Sequence, residues 1–375
     1  MAIMSIADAL KAAIAEEMRR DPTVYCLGED EDIPGGMGGA FTVTKGLGDE
    51  FGANVRVPEK NGGYVTKGED LENVRVINTP ISEILISGVC VGSAMNGMRP
   101  VADLQYGDFL FCMMDQLVNQ AAKMCYMSGG KVHVPMVMRA PCGATNRGAQ
   151  HAQSLESYFI HCPGLKVICP STAYDAKGLM NAALQGTDPV IFFESQRIYD
   201  VGEQFHEGGV PEGYYEIPLG EPDIKREGKD ITILTIGATL YRALEAAKVL
   251  EEKYGMSAEV IDARSLVPFN YEKVLASVKK TGRIVIAGDA AARGSFLNDL
   301  ARNVNELAFD YLDAPAVVLG SRDWITPAYE LEYAFFPQVD SFIDIIHEKI
   351  VPLPGHVPTR NFTEAEQIRR AKEGI

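Results

Sequence analysis

Two short stretches hold the side chains best placed to do chemistry. In "VINTPISEILISG" (residues 76–88), Glu83 falls where a β-branched run meets an apolar segment containing glycine. Pro80 marks the break, and Thr79 or Ser82 is available to cap a helix. A carboxylate in a first helical turn is favoured by the helix dipole. The same carboxylate, if desolvated, has a raised proton affinity and can share a proton with a ligand. On pattern alone both readings stand. In "GAQHAQSLESYFIHCPG" (148–164), His151 sits among Gly, Ala and Gln with no apolar stripe to account for it. Imidazole titrates where proton transfer is useful, so His151 reads either as a reactive group or as a polar loop residue. His161 lies just before an apolar run and reads as structural.

Other chemistries find less support. The glycines of "GEDEDIPGGMGGAF" (28–41) show neither GxGxxG spacing before a helix nor a GK[ST] ending. No GxSxG elbow is present, and no His, Cys and Asp set has metal-ligand spacing. Seven scattered cysteines without a CxxC suit a reducing compartment better than a disulfide framework.

The elements that must position Glu83 and His151 follow an α/β rhythm. Runs at 23–30, 99–106, 134–140, 165–170 and 189–195 read as strands, with helical patterns at 84–98, 114–127 and 172–185. Gly88 and Gly92 share one helical face, which permits close packing against a sheet or a cofactor. The N-terminal stretch 1–22 reads as an amphipathic helix with Ile6, Leu10, Ile14 and Met18 on one face, capped by Ser5 with Asp8; this is part of the fold, not a signal peptide. A segment rich in Gly, Pro and charge (206–229) reads as a linker. A second α/β pattern then begins, with strands at 230–237, 257–264 and 282–289 and helices at 240–254 and 271–280. The expected division is residues 1–205, linker 206–229, second domain 230–355 and polar tail 356–375.

Bulk properties agree. The 375 residues suffice for two cores, and 46% hydrophobic with 23% charged residues is a globular balance. A net charge of −16 argues against a nucleic-acid surface. The most apolar run contains Glu83 and is too short to span a bilayer. A cytoplasmic location is expected.

Motifs then recur in one order: "NTPISE", "GMRPVADLQYGDF", "DQLVNQAAKMCYMSGG", "QHAQSLE", "HCPGLKVICP", "DAKGLMNAAL", "DPVIFFES" and "DARSLVPFNYE". As an ordered set they resemble the beta subunit of thiamine-diphosphate-dependent 2-oxo acid dehydrogenases, the pyruvate, branched-chain 2-oxo acid and acetoin group. The resemblance spans roughly residues 6–352. It implies two α/β domains, a thiamine-diphosphate pyrimidine-binding domain followed by a transketolase C-terminal-like domain. It also implies an alpha subunit in an alpha2-beta2 heterotetramer, with magnesium held on that partner through a GDG motif. This chain has only GDE (48–50), GDF (107–109) and GDA (288–290), so the diphosphate half must come from elsewhere.

Residue by residue, the resemblance implies that Glu83 hydrogen-bonds the aminopyrimidine, with Gln105 and Phe109 beside the ring. His151 faces the substrate and protonates during acyl transfer to a lipoylated dihydrolipoyl acyltransferase. Met136, Ala183, Leu184, Gly186 and Asp188 align with positions that hold potassium in some relatives. Departures lie at 52–76, which is long, and at 287–296 and 320–337. The alternatives are a split transketolase-like enzyme moving a two-carbon unit, and a non-catalytic regulatory subunit; the second would not need Glu83.

Overall fold

The computed structural model describes residues 4–33, 38–58, 64–67, 74–143 and 147–375. Parts of the 28–41 loop and of the long 52–76 segment therefore lie outside the described residues. The chain divides into two compact units: Met1–Cys142 with Tyr158–Leu219, and Gly143–Ser157 with Gly220–Ile375.

In the first unit the described strands are β1 (Val24–Gly28), β2 (Ala53–Pro58), β3 (Tyr64–Lys67), β4 (Val76–Asn78), β5 (Arg99–Asp103), β6 (Val137–Cys142), β7 (Lys166–Ile168) and β8 (Val190–Ser195). They lie in the order β7-β8-β6-β5-β1-β4-β2-β3. All pairings are parallel except β2 with β3. Parallel strands covered on both faces read as continuous apolar runs, and β1, β6 and β8 are buried along their whole length. The helix Ile6–Arg20 buries Ile6, Leu10, Ile14 and Met18, as its periodicity predicts, and packs on the helix Ala173–Gln185. The Ser5 hydroxyl accepts from the Asp8 amide at 3.2 Å, the expected cap. The expected helix at 114–127 is wound as a π-helix over Asp115–Ala121 before becoming α-helical at Ala122–Met127.

In the second unit the strand order is Val317–Ser321, Ile284–Ala291, Ile231–Thr235, Ala258–Asp262, Asp223–Arg226. All are parallel except the edge strand Asp223–Arg226. That edge strand lies inside the stretch read as linker; its four half-buried residues, three charged and one isoleucine, are too few to announce a strand by alternation. Residues 143–157, expected inside the first domain, group with the second unit. Their ties run there: the Phe296 amide donates to Ser157 Oγ at 3.0 Å, and Asp289 acts electrostatically on Glu156. The start of the expected polar tail is pinned, because Asp344 accepts from the Thr359 and Arg360 amides and from His356 Nε2. A short helix, Glu364–Glu373, follows. Among the described residues no helix is long and apolar enough to cross a membrane.

Candidate functional site

Three neighbouring parallel strands deliver the site in the first unit. β1 lies between β4 and β5, and each ends at the same edge of the sheet. Glu29 follows β1 directly. Glu83 follows β4 after the Pro80 break, in the first turn of the helix Glu83–Met95, whose N-cap Ser82 makes no side-chain cap bond. Gln105 follows β5. In open α/β sheets the carboxyl ends of the strands are where ligands bind, since loops there converge on helix N-termini.

These residues meet. The Gln105 amide Nε2 donates to the Glu29 carbonyl at 2.9 Å. Burial raises the Glu29 carboxyl above the usual range, and the charges of Glu83 and Asp30 raise it further. Glu83 itself is half-buried, and its carboxylate has no hydrogen-bond partner among the described residues. Phe109 is half-buried and meets Tyr106 edge-to-face, ring centroids 6.0 Å apart. Tyr106 meets Phe41, which stacks on Tyr199 at 4.8 Å. Gly107 is required in this wall, because a Cβ there would lie 2.9 Å from the Pro141 carbonyl oxygen.

Behind the aromatic wall lies a buried ionic cluster that the sequence reading missed. Arg139 donates to both oxygens of Glu194 at 2.8 Å and pairs with Asp103 at 3.0 Å. The Tyr199 hydroxyl donates to Glu194 at 2.6 Å. Burial alone would depress the guanidinium, but Asp103 and Glu194 hold it well above its ordinary value. Asp103 is pushed up to about 6 by burial, against the pull of Arg139. Glu31 is fully buried, and neither carboxylate oxygen has a hydrogen-bond partner among the described residues. Burial, with the charge of Asp103 added, raises its carboxyl well above the usual carboxylate range. The one available signal was "GEDED" placed immediately after a strand, where so many charges are unusual.

His151 belongs to the second unit, in a turn after Gly148 (φ +73°), and is half-buried. Near it in the chain, Glu156 is buried and pushed up to about 7, by desolvation and then by Asp289. Asp289 accepts from Thr239 and from Arg242, each at 3.0 Å. His161 is exposed.

The oxygens expected to serve potassium are gathered around one turn, but they are engaged. Met136 O accepts from the Val190 amide at 2.9 Å, and Ala183 O from the Gly186 amide at 3.3 Å. Leu184 O and Gly186 O both accept from one guanidinium nitrogen of Arg99, each at 2.8 Å. The Asp188 carboxylate pairs with Lys166 at 3.0 Å. A potassium ion on those carbonyls would sit beside a guanidinium, a repulsion on the order of 4 kcal/mol near a protein surface. The turn does not fit the ion.

Residues 3–201 match the family described as "Transketolase, pyrimidine binding domain", and residues 220–341 match "Transketolase, C-terminal domain". Over 312 residues the chain is 45% identical to "Acetoin:2,6-dichlorophenolindophenol oxidoreductase subunit beta" of Cupriavidus necator, covering 83% of this chain and 86% of that one. Over 324 residues it is 40% identical to "2-oxoisovalerate dehydrogenase subunit beta" of Bacillus subtilis, covering 86% and 90%. Among solved structures, "Split gene transketolase, inactive beta4 tetramer" superposes with a TM-score of 0.68 at 22% identity, covering 91% of this chain and 96% of that one, a likeness of fold. With both domains matched and relatives of this identity along most of its length, the chain belongs to the family of 2-oxo acid dehydrogenase beta subunits, built on transketolase pyrimidine-binding and C-terminal domains.

Proposed function

We propose that this chain is the beta half of a thiamine-diphosphate-dependent component that oxidatively decarboxylates a 2-oxo acid and passes the acyl group to a lipoyl carrier. It works with an alpha-type subunit as an alpha2-beta2 heterotetramer in the cytoplasm. The partner holds the diphosphate and its magnesium. The observation that carries this reading is Glu83: a half-buried carboxylate in a helix's first turn, without a hydrogen-bond partner among the described residues, beside a second carboxyl at Glu29.

When bound, thiamine diphosphate supplies the carbon nucleophile and takes up the electron pair left as carbon dioxide departs. Glu83 holds a proton at the pyrimidine ring nitrogen, so that the exocyclic nitrogen can act as a base. Phe109 presents an aromatic face to the ring, and Gln105 fixes the Glu29 backbone that flanks it. His151 donates a proton during acyl transfer.

The test is to copurify the chain with an alpha-type subunit and follow 2-oxo acid decarboxylation with an artificial electron acceptor. Glu83→Gln with undiminished activity would sink the cofactor assignment. His151→Ala is expected to harm transfer to lipoyl more than decarboxylation; equal effects on both steps would remove its assigned role.

A further inference from the structure

The turn that closes the helix Ala173–Gln185 has an excess of negative potential. Its last carbonyls lack intrahelical partners and carry the negative end of the helix dipole. Leu184 O and Gly186 O point at a common centre, and the occupant of that centre is one guanidinium nitrogen of Arg99, 2.8 Å from each. A single cationic nitrogen shared between two carbonyls is the contact a small monovalent cation would make.

The guanidinium is held before it reaches the turn. Arg99 opens β5 and pairs in register with Val24 of β1. Its Nε lies 3.5 Å from Asp21 Oδ2, and Asp21 is fixed by the amide and hydroxyl of Thr23 at 2.8 and 2.7 Å. Asp21 caps the C-terminal end of the helix Ile6–Arg20, which packs on Ala173–Gln185. One side chain thus carries positive charge to the ends of two packed helices. The remaining oxygens of the turn have their own donors: the Gly186 amide for Ala183 O, the Val190 amide for Met136 O and Lys166 for Asp188.

We propose that Arg99 is a built-in replacement for a monovalent cation at the 183–188 turn, and that this chain is accordingly indifferent to potassium. The inference stands apart from the proposed reaction, and its readout is stability.

The experiment is thermal unfolding of the full chain, wild type and Arg99→Met, in potassium, sodium and choline chloride at equal ionic strength. The wild type is expected to unfold at the same midpoint in all three salts. Arg99→Met is expected to lose several degrees in choline chloride and to recover part of the loss in potassium chloride but not in sodium chloride. A wild-type midpoint raised selectively by potassium would overturn the proposal, and so would a loss in Arg99→Met that potassium fails to restore. If Arg99→Met does not fold, Arg99→Lys and flame emission of gel-filtered wild type decide. The lysine variant should fold and stay potassium-insensitive, whereas a potassium response in it, or stoichiometric potassium retained by the wild type, would overturn the proposal.

Discussion

The two ends of β5 carry charge for opposite purposes. At its start, Arg99 satisfies main-chain carbonyls and is about a quarter exposed, with a side-chain relative exposure of 24%. At its end, Asp103 enters a buried cluster with Arg139 and Glu194, and two residues on Gln105 reaches the loop that carries Glu29. One end closes a helix; the other supports a site. The reason is geometric: loops and helix N-termini gather at the carboxyl ends of parallel strands, while the opposite ends receive helix C-termini. Cations at the start and carboxylates near the end follow from that polarity.

Four substitutions break or sharpen the contrast. The largest effect belongs to Glu83→Gln, expected to cut decarboxylation by about 10²–10⁴-fold, the usual worth of a positioned proton-transfer group. Its unfolding midpoint should not move, because the side chain is half-buried and makes no protein hydrogen bond among the described residues. A midpoint lowered as far as in Arg99→Met would show that the carboxyl end is structural too.

Next comes Arg139→Met. Removing this guanidinium leaves Glu194 and Asp103 buried without their cation, at an expected cost of about 3–5 kcal/mol in denaturant unfolding. Arg99→Met should cost less, about 1.5–3 kcal/mol for charged hydrogen bonds at a partly exposed site. If the two losses came out in the reverse order, burial would not be what separates the ends of β5.

The smallest effect, and the one with a pH signature, is Glu31→Gln. In the folded chain Glu31 keeps its proton above its ordinary value of 4.5, whereas in the unfolded chain it does not. Its contribution is complete below that value and declines as pH rises toward the raised one, since the folded state then binds the extra proton. Glutamine, permanently neutral, escapes the decline. The variant should match wild type to within about 1 kcal/mol near pH 5 and gain on it toward pH 8. An equal cost at both pH values would mean that Glu31 is ionised in the folded chain.

Much of this was legible in advance. Strands such as 190–195 and helices such as 6–20 follow from short-range periodicity, and the break at Pro80 marked Glu83 as the opening residue of a helix. The allegiance of residues 143–157 was not legible, because it rests on ties to Phe296 and Asp289, far along the chain. The edge strand Asp223–Arg226 was hidden for a related reason: four half-buried residues, three of them charged, become a strand only when the Ala258–Asp262 strand is there to pair with.

The sequence by itself determined the α/β alternation, the two family domains and the carboxylate at the head of an apolar helix, since each is written in neighbouring residues. Tertiary structure alone decided which charges are desolvated. Only when β1 settles between β4 and β5 do Glu29, Glu83 and Gln105 converge and Glu31 lose its water. Only when Arg99 reaches the end of Ala173–Gln185 does a turn suited to a cation acquire one of its own. Pairing and burial depend on strand order, and strand order is a property of distant residues brought together.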